Sequence, residues 1–81
     1  MTLASLKPGE HALITQVDGS GAISRRMADM GVVPGQHVCL LRVAPLGDPL
    51  ELQVMDYHLT LRRAEAQRVR VRPLGVEADH D

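Results

Sequence analysis

The chain has 81 residues, 44% of them hydrophobic and 23% charged, with a formal net charge of −1. That length makes one small domain burying only roughly 60–65% of its unfolded surface, and that charge gives no general attraction to nucleic acid or anionic lipid. Tyr57 stands without any Phe or Trp, so the core has to be aliphatic, and the chain cannot build the ring-lined grooves that hold proline-rich ligands or the stacking platforms that hold unpaired bases.

Read from the amino terminus, MTLASLKPGE lacks the basic start and apolar stretch of a signal peptide. Pro8-Gly9 marks a turn, after which HALITQV (11–17) is rich in β-branched residues and reads as a first strand. DGSG (18–21) breaks it. In AISRRMADM (22–30), Ile23, Met27 and Met30 fall at i, i+4 and i+7, the spacing of one helical face, with Arg25, Arg26 and Asp29 pointing elsewhere. Ser20 is placed to cap that helix and Gly31 to end it.

A second Pro-Gly turn, VVPG (32–35), leads into a strand over QHVCLLRVA (36–44), whose VCLL is among the longest apolar runs and far short of the ~20 residues of a membrane helix. The corner APLGDP (44–49) follows. Pro45 pre-sets φ for the first central position of a turn, Gly47 takes positive φ at little cost, and Asp48 is pushed extended by Pro49. Hairpin geometry accounts for all of these but not for Leu46, an apolar side chain at the tip. LELQVM (50–55) alternates Leu50, Leu52 and Val54 against Glu51 and Gln53, a half-buried strand. HLTLR (58–62) reads as a fourth strand and RAEAQ (63–67) as one helical turn. RVRVR (68–72) reads as a last strand with Val69 and Val71 inward and Arg68, Arg70 and Arg72 outward. Residues 73–81 read as a flexible polar tail, leaving a domain over 1–72.

Five short strands, one helix after the first and a helical turn before the last predict a mainly β fold, a small closed SH3-like barrel; an OB-fold needs longer strands. Closure would also remove the exposed sheet edges.

The ordered set MADMGVVPG (27–35), APLGDPLELQV (44–54) and LTLRRAEAQRVRV (59–71), with LKPGE at the front, resembles the FeoA family over residues 3 to about 72. Met27 stands where that family more often has leucine, a swap that conserves volume. The resemblance implies an SH3-like barrel, related to the C-terminal domain of diphtheria-toxin-repressor-type metalloregulators. It also implies a cytoplasmic accessory role in bacterial ferrous-iron uptake beside the FeoB permease, whose cytosolic region carries a GTPase domain.

The residues themselves argue against catalysis. PLGDP lacks the Lys-Ser/Thr of a phosphate-binding loop, and neither the serines nor Cys39 has a readable activating partner. A single cysteine excludes an internal disulfide and fits a reducing cytoplasm. His37 and Cys39 share a strand face, Met55, Asp56 and His58 cluster near a hairpin end, and Asp79, His80 and Asp81 lie in the tail, with His11 at the head of the first strand. None has the spacing of a dedicated metal site, so no metal or cofactor is expected beyond weak zinc or nickel capture by surface imidazoles, which leaves weak self-association open. The arginine stripe reads first as charge protecting an edge strand, second as a face for an acidic partner, and third as an RNA surface.

The expected function is therefore a non-enzymatic module docking on the cytosolic region of FeoB and meeting the membrane's inner face only through it, with no nucleic acid involved. The alternative is a divalent-metal-responsive module like the metalloregulator domain. The expected contact residues are Pro45, Leu46 and Asp48 at the corner, whose rigid apolar knob loses little entropy on docking, and Arg25, Arg26 and Asp29 on the helix.

Overall fold

Alternation along the strands decides which face of the sheet is buried. In the computed structural model, which describes residues 1–76, Leu50, Leu52 and Val54 point inward and Glu51 and Gln53 outward, as the period of two requires. Five antiparallel strands, β1 (Glu10–Val17), β2 (His37–Val43), β3 (Leu50–Val54), β4 (Tyr57–Leu61) and β5 (Val69–Val76), form one sheet in the order β4-β3-β2-β1-β5. Its inner face supplies Ala12, Ile14, Val38, Leu40, Leu61, Val69 and Val71 to an aliphatic core. Helix α1 (Gly21–Asp29), the single turn α2 (Arg63–Ala66) and a 3₁₀ turn at Leu3–Ser5 close over that face with Met27, Ala66 and Leu3.

The sheet is bent but not closed. β4 and β5 stand at opposite ends of the strand order, and no ladder joins them among the described residues. Register shifts between His11 and Ala12, Ile14 and Gln16, and Leu40 and Arg42 mark irregularities of the kind that bend strands. Edge protection comes instead from the amino-terminal residues: the Val71 N–H donates to the Met1 carbonyl at 3.0 Å, and Thr2 bridges Arg70.

Three expectations are corrected locally. β5 continues through Pro73, Leu74, Gly75 and Val76, so the last strand does not stop at Arg72; the rest of the expected tail lies outside the described residues. Pro73 faces Ala12 and Gly75 faces His11, which leaves Leu74 as the extra residue of a bulge, where a proline without an N–H is tolerated. In α1, Met27 is fully buried and Met30 partly, but Ile23 is 37% exposed, because the helix rests on the core at its carboxy-terminal half only. Ser20 occupies the N-cap position without a side-chain cap hydrogen bond. The other end is as expected: Gly31 has φ 85°, its N–H donates to the Ala28 carbonyl, and the Val32 N–H donates to that of Met27. This is a Schellman termination, with Val32 and Met27 sharing the core.

Candidate functional site

The corner between β2 and β3 is built as a tight turn. The Ala44 carbonyl accepts the Gly47 N–H at 2.7 Å across Pro45 and Leu46, and the Ala44 N–H donates to the Pro49 carbonyl at 3.0 Å. Gly47 takes φ 91° and the Asp48–Pro49 peptide is cis. The turn presents Leu46 to solvent, 96% exposed, with Pro45 exposed beside it.

Asp48 has a different task. Its Oδ1 accepts the backbone N–H of Arg63 at 3.0 Å, at the first residue of α2. Arg62, at the N-cap of that turn, has no acceptor in its side chain, so a carboxylate from across the fold satisfies the helix start. Glu65 completes the end by accepting the Arg62 N–H at 3.0 Å. The Arg63 guanidinium returns the contact, donating from Nε to the Gly47 carbonyl at 2.7 Å and from Nη1 to the Ala4 carbonyl at 3.0 Å. Asp48 and Arg63 are 15 residues apart, and nothing in the local pattern of either joins them.

α2 also reaches α1, through an ion pair between Glu65 and Arg26. The two groups of expected contact residues are thus tied to one helical turn, Asp48 and Arg26 being occupied by it. All six of these residues are exposed, Asp48 and Arg26 included.

The arginine stripe is partly compensated. Arg70 Nε donates to Asp18 Oδ2 at 2.8 Å. This hydrogen bond lowers the Asp18 pKa below the ordinary aspartate value; desolvation opposes it, and the charge of Arg70, a hydrogen bond from Gln16 and the charge of Arg68 support it. Arg42 pairs with Glu51 at 3.3 Å.

The outer sheet face brings together residues that spacing had left apart. His11 faces Cys39 across the β1–β2 ladder, and Leu13 faces His37, which makes His11 and His37 diagonal neighbours. Their Nδ1 and Nε2 atoms lie 2.9 Å apart and their ring centroids 4.8 Å apart. Cys39, Gln53 and Met55 join them around a cavity of about 200 Å³ open to solvent. Met55 takes φ 56° just beyond β3, while His58, facing Gln53 on β4, is exposed and outside this lining. Among the described residues no three His, Cys, Asp or Glu side chains converge as a ready-made metal cluster, and no helix is long and apolar enough to cross a membrane.

Comparison with known proteins shows what the chain is similar to. A family model for the FeoA domain matches residues 1–73. An Fe(2+) transport protein A/Fe(2+) transporter FeoB fusion protein of Porphyromonas gingivalis is 36% identical over 78 residues, 96% of this chain but 9% of the fusion. The solution structure of FeoA from Chlorobium tepidum superposes with a TM-score of 0.86 at 41% identity, over 99% of this chain and 76% of that one. Stenotrophomonas maltophilia FeoA complexed with zinc, an SH3 domain protein, gives 0.77 at 36% identity over 89% of each. A manganese-dependent transcriptional repressor gives 0.84 at 14% identity, over 91% of this chain and 36% of its own, a likeness of fold alone.

Proposed function

That the chain belongs to the FeoA family is the premise from which we propose its function: a non-enzymatic, cytoplasmic accessory module of ferrous-iron uptake that docks on the cytosolic, GTPase-bearing region of an FeoB-type permease and modulates transport. The observation that carries the reading is the fusion of such a domain to FeoB in a relative 36% identical to this chain. A covalent fusion keeps two partners at high effective concentration, which is useful where the free domains meet.

The docking surface we assign is the clamped corner, with Pro45 and Leu46 as its anchor and Arg25 and Asp29 as flanking charges. An apolar tip held by Asp48 and Arg63 enters a pocket with little loss of conformational freedom. Asp48 and Arg26 serve this surface by holding it in place. The metalloregulator alternative has the shared fold in its favour and no residue-level observation.

The test is a titration of isotope-labelled chain with the cytosolic region of its cognate permease, followed by NMR. Saturable shifts confined to the corner and α1 are expected. Leu46→Asp should weaken binding by about tenfold or more, as loss of a central anchor does, while leaving stability within roughly 0.5 kcal/mol. Unchanged affinity in that variant would sink the assignment.

A further inference from the structure

The two edges of the sheet are defended unequally. On the β5 side, Thr2 bridges Arg70 and the Val71 N–H donates to the Met1 carbonyl. Arg70 and Arg72 are exposed there, and the bulge at Pro73–Gly75 interrupts the ladder. Charges, prolines, bulges and covering segments are what keep a strand edge from pairing with another chain. β4 has none of them. Its five residues, YHLTL, include no Asp, Glu, Lys, Arg or Pro, and its register against β3 runs without a shift. Among the described residues no backbone hydrogen bond reaches it from the other side.

The flanks of β4 specify what fits along it. Asp56 precedes the strand and Arg62 follows it; both are exposed, and neither joins an ion pair among the described residues. Two copies of β4 aligned antiparallel about Leu59 set Leu59 against Leu59, His58 against Thr60 and Tyr57 against Leu61. The same register carries Asp56 of each copy to Arg62 of the other. An edge that is acidic at one end and basic at the other complements itself when reversed, which is what a two-fold axis supplies. Leu59 faces Leu52 across the β3–β4 ladder and so lies on the inner face, where it is only partly buried. Its twin would cover it, and apolar and opposite-charge pairs both stabilise neighbouring strands.

We propose that β4 is the docking edge for a second copy of this chain: two molecules pair antiparallel along it, joining the five strands of each into one continuous sheet. The outer edges of that sheet are then both β5 edges, which are guarded, so assembly stops at two. So short a contact falls below the ~1,200 Å² of stable complexes, and the dimer is weak and concentration-dependent. None of its residues belongs to the surface assigned above to the permease.

The experiment is sedimentation of the metal-free full chain over a concentration series, with a chelator present so that surface histidines bridge no molecules. It is joined to isotope-filtered NMR on a mixture of labelled and unlabelled chain. A monomer–dimer equilibrium is expected, with contacts between the Leu59 methyls of the two copies. Arg62→Glu and Asp56→Lys should each weaken dimerisation by roughly threefold to tenfold, because symmetry counts each altered pair twice. The two changes together should restore it, with circular dichroism unchanged throughout. A monomer at every concentration, filtered contacts on another face, or a double variant as weak as the single ones would overturn the proposal. Protection of the β4 amides that appears only when the permease's cytosolic region is added would give the edge a different occupant, and would overturn it too.

Discussion

The corner at 44–49 and helix α1 invert the usual ranking of loops and helices. The corner has no regular structure, yet two hydrogen bonds join its Asp48 and Gly47 to Arg63 of α2, and a third ties Arg63 to Ala4 in the amino-terminal turn. α1 has the regular hydrogen bonds of a helix, but its first turn lacks a side-chain cap and Met27 is its only fully buried residue. What fixes a segment here is the number of its contacts to the rest of the molecule. Local opening free energies follow such contacts, so the corner is the stiffer of the two.

The comparison breaks most readily at Met27. Met27→Ala should destabilise the fold by about 2–5 kcal/mol, the range for truncating a buried methionine. Hydrogen exchange should show protection lost first along α1 while the Gly47 amide stays protected. Equal loss in both segments would mean that they open as one unit.

Arg63→Ala probes the other side. Removing two charge-assisted hydrogen bonds to carbonyls should cost about 1.5–3 kcal/mol in urea-denaturation midpoints and loosen the corner selectively. Loss of permease affinity in this variant, with Leu46 intact, would tie docking to the stiffness of the loop.

The smallest effect separates both segments from the exposed Asp18–Arg70 pair. Because the folded pKa of Asp18 is lowered, its contribution is fully present above the unfolded value of about 3.9 and is lost as pH falls through the folded value. Asp18→Asn should therefore flatten part of the acid limb of stability against pH, and salt should shrink the difference, as expected for an exposed pair.

Much of the fold was legible because it rests on short-range periodicity. Leu50, Leu52 and Val54 announced β3, and Gly31 announced the end of α1. Ile23 misled because helical spacing reports a face and not how much of that face meets a core. Pro73-Leu74-Gly75 reads as the start of a polar tail, but a bulge opposite His11 and Ala12 keeps it in β5. Of the site, the exposed Leu46 was legible from turn chemistry. The Asp48–Arg63 clamp and the His11–His37 contact were not, since they join residues 15 and 26 apart whose meeting depends on the completed sheet.

The strand order also governs how the molecule can be made. β1 lies between β2 and β5, and its far partner is distant in the chain: Thr15 Oγ1 donates to the Arg70 carbonyl 55 residues away. During synthesis β1, β2, β3 and β4 leave the ribosome before β5 does, so for that interval one side of β1 has no neighbour. Closing so long a loop is entropically costly and slow. A nascent chain stalled before Val69 would display a bare strand edge, the form in which a small β domain is most exposed to chaperones and to aggregation.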